Sequence, residues 1–168
     1  MADDPQIARF LAKYTPAISA DLQAARGVLR RLVPRGYELV YDNYNALVFG
    51  FGLTVRASDV VVSLAAYPKW VTLFFLHGAS LADPAGLLQG SGSRVRSVRL
   101  SPLGVLRSEP VQALLRRALE GHAAAFSEAP ALTTIVKSVS AKQRPRQPRA
   151  AEAPEERPPR TARGSRSA

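Results

Sequence analysis

The chain has 168 residues, 46% of them hydrophobic, with no cysteine and a formal net charge of +10, enough apolar material for a single packed core. The absence of cysteine excludes disulfide frameworks, thiolate nucleophiles, Cys-ligated zinc and iron–sulfur clusters. The charge is unevenly spread: residues 1–140 carry 15 Lys+Arg against 10 Asp+Glu, and residues 141–168 carry 8 against 3.

The N-terminal MADDPQIARF has acidic residues where a secretory leader is basic, and no apolar stretch follows, so an unexported, cytoplasmic protein is expected. Within PQIARFLAKY, Ile7, Phe10, Leu11 and Tyr14 recur at helical spacing, which predicts a first helix. A second follows the Thr15-Pro16 break, with Ile18, Leu22, Ala25, Val28, Leu29 and Leu32 as its stripe and Pro34 with Gly36 as its stop. Four strand-like runs come next, at 37–41, 46–51, 59–67 and 70–76, separated by turn chemistry too short for crossovers. The last two make up the most apolar run of the chain, but Pro68 and Lys69 interrupt it; two strands and a turn are expected rather than a membrane span. Asp83-Pro84 predicts the start of a short helix and Gly90 its end. A strand through 97–101, a long helix through 110–126 and a last strand at 133–139 complete the pattern. The expectation is an α+β domain over residues 1–140, an antiparallel sheet of five to six strands packed against N- and C-terminal helices. Residues 141–168, proline-broken and basic, are expected to form a disordered tail able to hold nucleic acid weakly and salt-sensitively.

With these elements placed, the stretch from Tyr41 to Arg99 resembles the YdhG-like domain family, whose best-known relative is described as a frataxin-like intracellular iron chaperone. The resemblance rests on VVVSLAAYPKWVTLFF, on GASLADPAGLLQGSGSRVRSVRL and on KSVSAKQRPR, with Ala65, Ala66, Tyr67, Lys69, Asp83, Pro84, Gly90, Gly92 and Arg96 at the motif positions. It spans roughly residues 5–145 and implies a frataxin-like α+β fold. Iron is the one cofactor it implies. Frataxin-type iron handling uses a ridge of carboxylates, because hard cations take oxygen donors. Here the candidate helices carry Asp3, Asp4 and Asp21 against Arg9, Lys13, Arg26, Arg30 and Arg31, which leaves only Glu38 and Asp42 near the first hairpin for such a site. Iron chaperoning is therefore a secondary expectation.

No catalytic set stands out. His77 and His122 are the only histidines and stand far apart in sequence without H-x-H or H-E-x-x-H spacing. No serine sits in G-x-S-x-G. In GLLQGSGSRVRSVRL a dinucleotide fingerprint would need glycine where Val95 stands, and a helix after the turn rather than before it. Polar and aromatic groups do gather at strand ends: Tyr41, Asn43, Tyr44 and Asn45 in one hairpin, Lys69 and Trp70 in another. They converge if the hairpins meet at one sheet edge, although turn chemistry and packing at sheet ends account for the same residue types. If Val98 and Leu100 face the core, Arg94 and Arg96 share their side and Arg99 points away. Two guanidiniums there suit a carboxylate or phosphate; if the strand starts only at Ser97, both lie in a solvated loop. The leading expectation is a non-enzymatic module that binds a small anionic ligand or an acidic protein partner. Its candidate residues are Tyr41, Asn43, Asn45, Lys69, Trp70, His77, Arg94 and Arg96.

Overall fold

A computed structural model describes residues 4–148. Both N-terminal helices form and each is capped as its sequence demands. The Asp4 carboxylate accepts from the Gln6 amide at 2.8 Å to start α1 (Pro5–Leu11), and Thr15 Oγ1 accepts from Ile18 to start α2 (Pro16–Leu32). In each, proline occupies the first turn, where its missing N–H costs nothing.

Six strands follow: β1 (Tyr37–Asp42), β2 (Leu47–Gly52), β3 (Val60–Ala66), β4 (Val71–Phe75), β5 (Arg96–Arg99) and β6 (Thr133–Val139). They build one sheet in the order β5-β4-β3-β2-β1-β6. Neighbours from β1 to β5 are antiparallel. The fully antiparallel sheet expected from sequence fails at one place, since β6 joins β1 in parallel. A parallel neighbour needs a long crossover, and the helices between β5 and β6 supply it. Alternate residues Val40, Phe49, Leu64 and Leu73 turn to one face, where they meet Ile7, Leu22, Leu29 and Leu114 in a single core cluster. The fold is thus α+β, with its N- and C-terminal helices flanking a six-stranded mixed sheet. Among the described residues no helix is long and apolar enough to cross a membrane.

Two further expectations are corrected. The helix expected to start at Asp83-Pro84 does not form. Gly86 adopts φ +65°, a left-handed conformation that interrupts helical hydrogen bonding. The Asp83 carboxylate instead accepts from the amides of Leu87 (3.0 Å) and Leu88 (2.8 Å). Gln89 then pairs with Ser97, so Gly90 belongs to the loop between them rather than to a helix end. The long helix expected at 110–126 breaks at Gly121-His122 into α3 (Glu109–Glu120) and α4 (Ala123–Glu128).

The domain also runs past Ser140. Residues 141–148, read from sequence as tail, wrap the β1–β2 hairpin: Ser140 N donates to Asp42 O (2.9 Å) and Arg144 N to Tyr44 O (2.9 Å). Arg146 is 4% exposed and donates to Asp42 Oδ1 at 3.0 Å and to Asn43 O. A buried carboxylate requires a partner, and the nominal tail provides it. The rest of the predicted tail, 149–168, lies outside the described residues.

Two buried carboxylates are held in this way. Glu38 accepts from Arg26 Nε (2.7 Å) and Nη2 (2.9 Å), Arg30 Nη1 (2.5 Å) and Thr134 Oγ1 (2.6 Å). The Arg26 guanidinium also lies 4.8 Å from the Phe49 ring centre. Asp42 receives Lys13 Nζ at 2.5 Å besides Arg146.

Tyr14 pins the same end of the sheet. Its hydroxyl donates to Ala66 O (2.9 Å) and accepts from the Leu47 amide (2.9 Å). Burial pushes its pKa from 10.0 up to about 12. A folded pKa above the unfolded one means a contribution that is complete below pH 10 and lost as pH climbs toward 12. At that shift the loss amounts to roughly 2–3 kcal/mol. Urea unfolding at about pH 9 and about pH 11.5 should reveal it, and Tyr14→Phe should flatten most of the slope. An alkaline loss equally steep in Tyr14→Phe would assign it to another group. Tyr41, whose hydroxyl is buried without a partner and whose pKa burial also raises, accounts for a smaller residual slope.

Candidate functional site

Strand register decides which candidate residues meet. In the β4–β5 pair Phe75 lies opposite Arg96 and Thr72 opposite Arg99. Trp70 precedes β4 and His77 follows it, so the two sit at opposite ends of the sheet, roughly 20 Å apart at strand rise. The sequence candidates therefore separate. His77, Arg94 and Arg96 share one end; Tyr41, Asn43, Asn45, Lys69 and Trp70 belong to the other.

At the first end, β4 runs into a tight turn at Gly78–Ser80 that lies flat on β5. Only glycine permits this approach, because a Cβ on Gly78 would stand 2.5 Å from Arg96 Cβ. The Ala79 amide donates to Arg94 O at 2.9 Å, which carries the Arg94 side chain back over the turn. Arg94 Nη2 then sits 3.2 Å from His77 Nδ1 and 3.4 Å from Nε2. The break between α3 and α4 projects His122 toward the same place, with its ring centre 6.2 Å from that of His77. Arg117, one turn earlier on α3, lines the pocket with Ser80 and both histidines and is steadied by donating to Ala82 O at 3.0 Å. A bulge between Phe51/Gly52 and their β3 partners leaves Val61 unpaired, and Val61 and Phe75 form the apolar floor. The hollow measures about 210 Å³ and opens beside a second of about 320 Å³ edged by His77, Ser80, Ser93 and Arg94. Among the described residues no carboxylate lines either hollow.

Arg96 does not join this cluster as a fork. Its Nη1 donates to Gly92 O (2.5 Å) and Val95 O (2.8 Å), so it fastens the loop that presents Arg94. The expected Arg94/Arg96 pair is replaced by Arg94 with Arg117 and two imidazoles. Sequence reasoning missed His122, Arg117 and Ser80. The signal for His122 was Gly121 before it, a breaker inside an otherwise periodic helix.

At the other end the two hairpins do meet. Asn45, Tyr67, Pro68, Trp70, Arg144 and Pro145 line a cleft of about 440 Å³. Tyr67 and Trp70 lie 5.6 Å apart at 32°, and the Arg99 guanidinium stands 4.1 Å from the Trp70 ring centre. Asn43 is exposed at the turn with its carbonyl taken by Arg146, and Lys69 is exposed beside the cleft. Tyr41 stands within β1, behind the hairpin.

A third hollow of about 400 Å³ separates the end of α2 from α3 and α4, lined mainly by Leu32, Val33, Pro34, Leu119, Ala123 and Phe126. Its wall is largely apolar, with Arg35, Arg116, Glu120 and Ser127 also lining it and Arg116 paired with Glu109. The carboxylates expected to remain for iron, Glu38 and Asp42, are each held by two cations. Among the described residues no three His, Asp or Glu gather closely enough to hold a metal ion.

The chain matches no family model, and neither a curated protein nor a solved structure shows significant similarity to it.

Proposed function

We propose that the protein is a cytoplasmic, non-enzymatic binding module for a small anion, a carboxylate or phosphate ester, held between His77, His122, Arg94 and Arg117. The observation that carries this reading is the convergence of two imidazoles and two guanidiniums from three separate chain segments on two adjoining hollows that share His77 and Ser80 and that no carboxylate lines among the described residues. Such a cluster is self-repelling once the imidazoles are charged, and a bound anion relieves the repulsion. Arginine adds forked donors matched to planar or tetrahedral oxyanions. No group here is placed as a nucleophile with a base behind it, so binding rather than turnover is the reading supported. The iron-chaperone function implied by the family resemblance has less support, because the carboxylates it would use are occupied by arginine and lysine.

Titration with sulfate, which keeps its charge across neutral pH, tests this. Saturation should raise the melting temperature, as any ligand selective for the native state does. Arg94→Ala and His122→Ala should each weaken binding about tenfold or more, the scale of losing one charge-assisted contact. Sulfate binding that ignores both substitutions would remove the site.

A further inference from the structure

We propose that the hairpin end of the sheet binds single-stranded nucleic acid, stacking an unpaired base in the Tyr67–Trp70 cleft with Arg99 and Arg144 taking the flanking phosphates. This site is separate from the anion pocket and does not depend on it.

The cleft combines the two components that such binding requires, aromatic platforms and unneutralised cations. Tyr67 and Trp70 line its wall. Tyr44, 51% exposed, stands at the neighbouring turn with the Arg144 guanidinium 6.0 Å from its ring centre. Arg99 is held against Trp70 by its π face, an arrangement that leaves the N–H edge of the guanidinium free to donate. Among the described residues Lys69, Arg99 and Arg144 form no salt bridge. The nearby carboxylate, Asp42, is fully buried and already held by Lys13 and Arg146. Among the described residues, positive charge at this end is therefore uncompensated, whereas Glu38 and Glu109 are each answered by arginine.

The chain also leaves the described domain here. Gln147 Nε2 reaches Tyr14 O at 3.4 Å, and residues 149–168, with five arginines and three glutamates, follow from Pro148. The polymer must be single-stranded, because a duplex keeps its base faces stacked on one another and offers none to Trp70. An acidic peptide would satisfy the cations but has no planar face for the rings.

Trp70 is the only tryptophan in the chain, so its intrinsic fluorescence reports this cleft alone. The full-length protein is titrated with a fluorescein-labelled oligothymidylate of about 12 nucleotides, on the order of one site size, while anisotropy and tryptophan emission are followed together. The expected result is a saturable rise in anisotropy with parallel quenching of Trp70. Affinity should fall by about tenfold or more between about 50 and 200 mM salt. Arg99→Ala with Arg144→Ala should cost at least tenfold. Trp70→Phe should bind within a few-fold of the parent, and Trp70→Ala, verified as folded by circular dichroism, should not. Binding without quenching would assign the contact to residues 149–168 and overturn the cleft site. Equal quenching by a blunt-ended duplex, or by a polyglutamate peptide, would overturn it in favour of general polyanion or acidic-protein docking, and the absence of binding would overturn it outright.

Discussion

Glu38→Gln is expected to lower the free energy of unfolding by about 3–5 kcal/mol, the scale of breaking a buried ion pair from one side. The size follows from what stays behind. Glu38 is 0% exposed and Arg26 is 6% exposed, so the substitution weakens the two charge-assisted bonds that Glu38 accepts from Arg26 Nε and Nη2 in a place water does not reach. Arg30, whose side chain is 35% exposed, can swing outward and adds little. Glu109→Gln provides the internal comparison: that pair with Arg116 is 76% and 53% exposed and should contribute about 0–1 kcal/mol. Replacing both buried partners, Arg26→Met with Glu38→Leu, should recover most of the loss, since desolvated charge rather than shape is the cause. Chemical denaturation of the four proteins decides the matter. A Glu38→Gln cost no larger than that of Glu109→Gln would show that the network is not energetically distinct.

The second large effect is expected at Arg146. Arg146→Ala should destabilise by about 2–4 kcal/mol, somewhat less than Glu38→Gln because Lys13 remains on the other oxygen of Asp42. Arg146→Lys should recover only part of this, as one ammonium cannot serve both Asp42 Oδ1 and the Asn43 carbonyl in the same geometry. Deleting residues 141–168 should cost at least as much as Arg146→Ala. A truncated chain as stable as the parent would return the domain boundary to Ser140.

The boundary illustrates what local pattern carries and what it leaves out. Helical periodicity and turn chemistry mark α2 and β1 to β4 within a residue or two, and α1 up to its last turn, since it ends at Leu11 rather than running to Tyr14, because the forces that set them act over a few residues. KQRPRQP looks like a solvated tail by the same criteria. Its role depends on Asp42, about a hundred positions earlier, whose buried charge no local window reveals. The Asp83-Pro84 segment misleads for a related reason. Its cap residues are correct for a helix, but Gly86 takes a left-handed φ and the pairing of Gln89 with Ser97 draws the chain into the sheet.

The candidate site was legible as a set of residue types and not as a place. Alternation does put Val98 and Leu100 inward and Arg99 outward. It says nothing about which end of a strand a side chain occupies relative to another strand's end. Antiparallel pairing sent Trp70 with Arg99 one way and His77 with Arg94 the other. His122 could be joined to His77 only through the packing of α3 on the sheet.

The parallel pairing of β6 with β1 bears on how the chain acquires its structure. β1 is an early strand in an interior position, yet one of its edges stays open until residues 133–139 exist. The contacts that close it, Thr134 to Glu38 and Arg146 to Asp42, span 96 and 104 residues. Long-range closures of this kind raise contact order and slow folding. During synthesis the first five strands emerge with two core-facing carboxylates incompletely satisfied and a free edge able to pair with another chain. The C-terminal segment thus acts as the closing step of folding, and the interval before its arrival is when the protein is most exposed to misassembly.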